Sequence, residues 1–516
     1  MIVVKFGGTS LAGTERLRAA ARIVAALRAE QPVVCVVSAM SGVTDTLLTI
    51  ADLMMKKSET QAQTLLTALI QQHEQVTRSL TTTRSSAVTT AGSVAETTPS
   101  LAAGYAALRA DLERLAALRE RPDDHETQHA LAAFSGWGER LSVHLFALAL
   151  AAEGIAAAPC TGEPVVMVDL TPGPSPIGEG RTGVPCSPLP RTGEGLGVGL
   201  PSWEQLRPSV AATREWLAPE IATQLAAGCV PVLPGYLART AEGLVTTLGR
   251  NGSDYSAALI AAALGAGRLH LYSDVAGVHR ADPRAVPDAA LLSALSYADA
   301  AEMSAMGARV LHPQTLRPLA AAGIPLYLHS SFVPETPGTV IGTPAMIQAD
   351  AVHDTPFDTS LTRPAWVVIA RSVTSAHPLF GYLQHAGDTD DQADGLVEVT
   401  GLFLRHADLP AQEDDHLHTY FAALHQSPAD AVSGYPCYPG DGAVSGALAL
   451  LAGTPRPLRL ALSARYISVA VPMAESAATQ RRLYHALLHA DERAILNMPQ
   501  AADEPAHGLA ERRRSS

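Results

Sequence analysis

Thr247 to Leu264, TLGRNGSDYSAALIAAAL, is the stretch on which the reading of this chain turns. Gly249-Arg250-Asn251-Gly252-Ser253-Asp254 sets glycines among one cation, one anion and small polar side chains, and an Ala/Leu-rich run at helical spacing follows at once. Ser253 or Asp254 is suited to cap that helix. A glycine-rich turn that opens a helix offers backbone N–H groups and a partial positive charge to an anion. Arg250 can fork onto a carboxylate or phosphate, and Asp254 can position a metal or a neighbouring ammonium. A plain loop before a core helix would look the same, so the weight of the stretch depends on what accompanies it.

The N-terminus supplies a companion. Ile2-Val3-Val4 is a short apolar run ending in Lys5-Phe6-Gly7-Gly8-Thr9-Ser10, and a helical pattern (Leu17, Ala20, Ile23, Val24, Leu27) takes over after it. Strand, glycine turn and helix is the local plan of a phosphate site in an α/β sheet, and equally of an ordinary turn. It is neither a Walker A loop nor a GxGxxG fingerprint. Lysine occurs only at 5, 56 and 57 among 37 basic residues, so a lysine beside two glycines stands out in an arginine-rich chain.

Size and charge narrow the classes. A chain of 516 residues is expected to form two or three domains. A formal charge of −13 argues against nucleic acid as the main partner, and Arg512-Arg513-Arg514 reads as a solvated tail. No stretch reads as a spanning helix, and Met1 to Lys5 is too short for a signal-peptide core. Cys35, Cys160, Cys186, Cys229 and Cys437 show no CxxC spacing, which fits reduced thiols in a soluble cytoplasmic protein.

Further motifs follow in order. Val33 to Val37 reads as a buried parallel strand, leading into Ser38-Ala39-Met40-Ser41-Gly42-Val43-Thr44-Asp45, whose hydroxyls suit substrate contacts or, through Thr44 or Asp45, a helix cap. Residues 59–150 look mostly helical, with a polar Ser/Thr interruption near 81–99. Within them Ser135-Gly136-Trp137-Gly138-Glu139-Arg140 opens an apolar helix, and Glu139 either answers the helix dipole or meets a substrate ammonium. Residues 171–200 hold eight glycines and six prolines and read as a disordered insertion without chemistry. Strands are expected at 230–233, 269–272 and 324–328, with Gly338 to Ile341 closing the region, and their alternation with helices indicates a mostly parallel sheet covered on both faces. His279 could stack on a base or simply pack. His312 before Pro313 reads as a helix-end residue.

KFGGTS at 5–10, VVSAMSGVTDTLL at 36–48, GERLS at 138–142, GRNGSDYSAA at 249–258, SDVAGVHRADPR at 273–284 and GARVLHP at 307–313 stand in the order found in aspartate kinases. The chain resembles that family over residues 1–342 apart from the insertion, with its strongest likeness to the kinase portion of bifunctional aspartokinase–homoserine dehydrogenases. No dehydrogenase portion is expected among the residues that follow. The resemblance implies an amino-acid-kinase fold: an α/β domain with a mostly parallel sheet sandwiched by helices at 1–342, then a diverged α+β ACT-like regulatory region at 343–516. It also implies ATP and Mg2+, transfer of the γ-phosphoryl group to the β-carboxylate of L-aspartate, and a place in lysine, threonine and methionine biosynthesis. A possible amino-acid effector and a homo-oligomer belong to the same expectation.

Residue by residue, the resemblance gives Lys5 and Asp254 the catalytic roles, with Gly7 and Gly8 at the phosphates. Thr44, Glu139, Arg250 and Ser253 would bind aspartate. Ser273, Asp274, His279, Arg284, Arg309 and Val310 would line the nucleotide site, where the family usually carries Thr at 273, Tyr at 279 and Lys at 309. His for Tyr reduces stacking area. In the C-terminal third, Arg465 to Val471 with a helical run from Ala474 to Leu488 resembles the end of an ACT module, and Leu396 to Leu404 could be another strand. Two alternatives stay open: a noncatalytic or sensing partner, and a kinase of another small amino-acid carboxylate or of UMP. Glu139 with Arg250 favours an amino acid over UMP.

Overall fold

The computed structural model describes residues 1–82, 91–121, 125–169, 206–249, 252–305, 311, 313–350, 365–374, 396–405, 459–462, 466–472, 477–482 and 484–485. The 171–200 insertion, Arg250, Arg309, Val310 and His312 lie outside them. Two compact units divide the chain: Met1–Val278 with Leu291–Ala305 and Arg309–Asp358, and His279–Ala290 with Met306–Ala308 and Thr359–Ser516.

The first unit begins β1 (Ile2–Phe6), α1 (Thr14–Arg28), β2 (Val33–Val37) and α2 (Val43–Met55). Four further helices follow, α3 (Glu59–Thr82), α4 (Ala91–Leu118), α5 (His125–Ser135) and α6 (Trp137–Ala152), so the interruption expected near 81–99 is already helical from Ala91. Next come β3 (Ala157–Pro159), β4 (Val165–Asp169), β5 (Leu206–Pro208), α7 (Val210–Ala226), β6 (Val230–Pro234), β7 (Leu237–Thr240) and β8 (Val245–Thr247). The unit continues with α8 (Gly252–Leu264), β9 (Arg268–Ser273), β10 (Ala294–Ser296), α9 (Tyr297–Ala305), α10 (Pro313–Ala322), β11 (Leu326–Ser330), β12 (Thr339–Gly342) and α11 (Pro344–Asp350).

Eight strands form one sheet in the order β10-β12-β11-β9-β1-β2-β6-β3, and every pair in it is parallel except β11 with β12. The continuous apolar runs of β1 and β2 sit at its centre and are buried throughout, as parallel strands covered on both faces must be. Side chains alternate between the faces. Ile2, Val4, Phe6, Val33, Cys35 and Val37 join the core beneath α1 and α6, while Lys5 points the other way, to α8. Helix α6 is buried almost all round, from Gly138 to Leu150, because α1, α3 and α4 pack on it in turn. On the opposite face α8 packs against α7 and α10. Its alanines bring it close to the sheet, and Ala257 to Ala263 are buried.

A smaller sheet, β5-β4-β7-β8, was not foreseen, because its strands are only three to five residues long and carry little periodicity. Two caps also differ from expectation. Helix α8 starts at Gly252, where a turn closes from the Gly252 N–H to the Gly249 carbonyl at 2.9 Å with Gly249 at φ 74°. Ser253 and Asp254 therefore stand in its first turn and do not cap it. Likewise Gly42 at φ 78° occupies the cap position of α2, with no side-chain cap, and moves Thr44 and Asp45 inside the helix. A glycine is suited to such a left-handed position.

In the second unit, β13 (Ala365–Thr374), β14 (Leu396–Arg405), β15 (Arg459–Leu462) and β16 (Tyr466–Pro472) form an antiparallel sheet in the order β13-β14-β16-β15. The strands expected at 396–404 and 465–471 correspond to β14 and β16. Residues 477–482 are helical, as expected for part of the 474–488 run. Cys35, Cys160 and Cys229 are free thiols, and burial pushes Cys35 well above the usual thiol range and Cys160 up to about 12. Among the described residues no helix is long and apolar enough to cross a membrane.

Candidate active site

The carboxyl ends of β1, β2, β6 and β9 converge with the starts of α6 and α8, where ligands collect in open α/β sheets. At the end of β1 the Lys5 ammonium meets the Asp254 carboxylate at 2.5 Å. Lys5 is nearly buried and Asp254 a quarter exposed, so one side of the pair is open to an incoming group. Gly7 follows: its N–H donates to the Tyr272 carbonyl at 3.0 Å, and an added Cβ would stand 3.7 Å from Lys5 Nζ. Gly8 is under tighter constraint. A Cβ there would meet the Ala39 carbonyl oxygen at 2.8 Å, and its own carbonyl accepts from the Ser41 N–H at 3.1 Å. The loop after β1 is thereby locked onto the loop after β2, and no larger residue fits.

The first turn of α8 is fitted to the same loops. Ser38 Oγ donates to Ser253 Oγ at 2.9 Å. Gly235, just beyond β6, lies against Ser253, since a Cβ there would come within 2.6 Å of the serine Cβ. Thr44 is half-buried in the first turn of α2.

Glu139 occupies the first turn of α6 and is only 4% exposed. Gly138 beside it lets α6 press on the β2–α2 loop, for a Cβ there would lie 2.7 Å from that of Ala39. Burial pushes the Glu139 carboxyl up to about 7, against hydrogen bonds from the Ala39 and Glu139 backbone and the opposing charges of Arg140 and Lys5. Its Oε2 is buried without a hydrogen-bond partner. A buried acid with one oxygen unanswered calls for a donor.

Toward β9, Ser273 Oγ interacts with the backbone of Val275, and the Ser273 carbonyl accepts from Ser331 Oγ at 3.0 Å and the Ser331 N–H at 2.8 Å. Asp274 is exposed beside it. His279 and Arg284 belong to the second unit. There His279 Nδ1 lies 2.8 Å from the Ala289 carbonyl, and Arg284 forks onto Asp282 through Nε and Nη2 at 3.0 and 2.8 Å. Lys5, Gly7, Gly8, Glu139, Ser253 and Asp254 are thus drawn to the loops at one end of the first unit's large sheet. Arg250, Arg309 and Val310 lie outside the described residues. Two residues escaped the sequence reading. Ser38 was noted only as one hydroxyl of a stretch, and Tyr236, partly buried between the two helix starts, has no local signal beyond following a glycine.

A parallel sheet whose carboxyl ends carry a glycine turn, a lysine and a helix start defines an α/β protein built to hold anions. A model of the amino acid kinase family matches residues 1–330, and the chain belongs to that family. Lysine-sensitive aspartokinase 3 of Escherichia coli is 42% identical over 134 residues, 26% of this chain and 30% of that protein. Bifunctional aspartokinase/homoserine dehydrogenase 2 of Arabidopsis thaliana is 29% identical over 361 residues, 69% of this chain and 34% of the relative. The chain thus spans only about a third of the length of these curated relatives. Among solved structures, E. coli aspartokinase III with lysine and aspartate superposes with a TM-score of 0.60 at 20% identity, covering 94% of this chain and 99% of its own. The same enzyme with aspartate and ADP gives 0.60 at 19%, covering 95% and 100%. At these identities the likeness speaks for the fold.

Proposed function

We propose that this chain is an aspartate kinase, transferring the γ-phosphoryl group of ATP to the β-carboxylate of L-aspartate to give 4-phospho-L-aspartate. The observation that carries the reading is the Lys5–Asp254 pair, set between the Gly7-Gly8 loop and the start of α8 and sharing its surroundings with the unanswered acid Glu139. The aspartate relatives and the aspartate and ADP named in the neighbouring structures support the choice of substrates.

The chemistry suits this equipment. A carboxylate acceptor is already ionised at neutral pH, so no general base is needed. What remains is to hold two anions in line and to offset the charge between them. Lys5 meets the transferring group with its ammonium, and Asp254 keeps that ammonium aimed. Gly7 and Gly8 let the backbone approach the phosphates, and the α8 start adds its N–H groups. Glu139 receives the substrate ammonium, which answers Oε2 and draws the carboxyl back to its ionised form. Ser253 and Thr44 border the aspartate, Arg250 pairs with one of its carboxylates, and Ser273 and Asp274 border the nucleotide.

Mg2+ would enter with the nucleotide. No group of three or more His, Cys, Asp or Glu able to hold a metal occurs among the described residues. Asp254, beside Lys5, would be the protein carboxylate that helps hold the ion, with phosphate oxygens and water as its other ligands. When bound, the ion supplies charge neutralisation at the phosphates. For residues 343–516 the reading is a diverged ACT-like regulatory region.

The test is aspartate-dependent ATP turnover by purified protein with the acyl phosphate trapped by hydroxylamine. Hydroxamate is expected with aspartate and not glutamate, and is expected to vanish in Lys5→Ala. A folded protein that makes none with any amino acid overturns the reading.

A further inference from the structure

The chain leaves β6 through a turn that the regular elements do not require. The Leu237 N–H donates to the Gly235 carbonyl at 2.5 Å, and Tyr236 between them has φ 63°. An i to i+2 bond around a residue of positive φ is the rare, strained form of the γ-turn. For a bulky aromatic residue that conformation is an outlier. Lys57 is the one other non-glycine at positive φ among the described residues, and it sits exposed just past α2, where a left-handed residue is routine. Strain of the Tyr236 kind persists where the surroundings impose it, and it gathers at functional sites.

The surroundings of this turn are two helix starts. Gly235 packs on Ser253. The Tyr236 ring lies over Gly252, whose added Cβ would stand 2.9 Å from Cδ2, and the Tyr236 carbonyl accepts from the Leu248 N–H at 2.9 Å. The Tyr236 hydroxyl faces the side chains of Thr247, at the end of β8, and Ser135, just before α6. Leu237 fills the place of a side chain at Gly136, where an added Cβ would overlap its Cδ2. Three consecutive residues therefore touch the start of α8 on one side and the segment opening α6 on the other.

We propose that Tyr236 is a positioning residue for the aspartate subsite, its strained turn and its side chain fixing the α6 start that carries Glu139 against the α8 start that carries Ser253 and Asp254. The inference rests on the aspartate kinase reading. It goes further in assigning the precision of the amino-acid end of the site to a residue that need not touch the substrate.

The experiment compares wild type, Tyr236→Phe and Tyr236→Gly by steady-state kinetics in both substrates, with thermal unfolding alongside. Phe keeps the ring and the turn and loses only the hydroxyl, so it is expected to fold with nearly the wild-type Tm. Its KM for aspartate is expected to rise about tenfold, the loss of the hydroxyl's polar contacts with the Ser135 and Thr247 side chains, while KM for ATP stays within about twofold. Glycine tolerates the backbone conformation but releases every side-chain contact, and its KM for aspartate should rise further. A merely structural role would lower Tm and disturb both KM values together. Aspartate KM within twofold of wild type in both variants, or equal rises for aspartate and ATP, overturns the positioning role alone. A wild-type protein that fails to phosphorylate aspartate overturns the kinase reading and, with it, the aspartate subsite.

Discussion

Glu139 stands in the first turn of α6 and Asp254 in the first turn of α8, so both acids begin with the advantage of a negative charge near a helix N-terminus. Their surroundings then diverge. Asp254 is partly exposed and paired with Lys5, whereas Glu139 is buried, holds one oxygen unanswered and is pushed up to about 7. Helix α8 enters through a glycine turn at the rim of the sheet; α6 is sunk beneath α4 and against the β2–α2 loop. The same functional group at the same helical position is thus a salt-bridge partner at one helix and a buried, proton-sensitive receptor at the other. Pairing against burial decides which.

The largest break in this comparison comes from its paired side. Lys5→Ala removes the ammonium that meets the transferring group and is expected to cut kcat on the order of 10³-fold. If Lys5 and Asp254 act as one unit, the Lys5→Ala/Asp254→Asn double variant will fall little below Lys5→Ala alone in a coupled ADP-release assay. Additive losses would instead assign Asp254 a separate role.

On the buried side, Glu139→Gln keeps the shape and removes the charge. The expected outcome is a KM for aspartate raised by about 10–100-fold, the loss of a charged hydrogen bond, with kcat much less affected. A fall in kcat alone, with KM untouched, would remove Glu139 from the substrate end of the site.

The contrast also depends on how closely α6 is pressed to the β2–α2 loop. Gly138→Ala places a methyl 2.7 Å from the Ala39 Cβ and 3.1 Å from Val43 Cγ1, inside contact distance for both. Overpacking of this kind costs about 1–3 kcal/mol, so Tm should fall by several degrees in calorimetry. An unchanged Tm would show that α6 can withdraw without penalty.

The large sheet was legible because β2 is a continuous apolar run, because β1, β6 and β9 are short stretches rich in Val, Ile and Leu, and because glycine turns follow β1 and precede α8. Lys5 and Asp254 were legible through the same turns, although their meeting depends on strand alternation and on α8 crossing the sheet. The β4-β5-β7-β8 sheet escaped because its strands are too short to show a period. The state of Glu139 was not readable either. Its burial follows from α6 pressing through Gly138 on Ala39 of the β2–α2 loop, two residues distant from one another in sequence, and no local pattern records that they converge. Tyr236 is the plainest case, for its positive φ has no counterpart in the local sequence beyond the glycine before it.

The finest test of the comparison is pH. Glu139 lies above its ordinary value of 4.5, so between about pH 4.5 and about pH 7 the folded state keeps a proton that the unfolded chain has released. The sign follows from the protons bound: Glu139 lowers stability progressively as pH climbs through that window, and its contribution is level above it. Substrate binding runs the other way, because an ammonium favours the ionised carboxyl. Lys5 and Arg140 assist ionisation, and the Tyr236 hydroxyl stays neutral across this range because burial raises it. With a carboxyl near 7, the ionised fraction grows about tenfold from pH 6 to pH 8, so KM for aspartate should fall by about that factor. Calorimetry near pH 6.5 in buffers of different ionisation enthalpy should show a proton released on binding, and Glu139→Gln should abolish both effects. A wild-type KM that stays flat over this range would mean that Glu139 is already ionised when aspartate arrives, and the distinction between the two acids would reduce to one of burial alone.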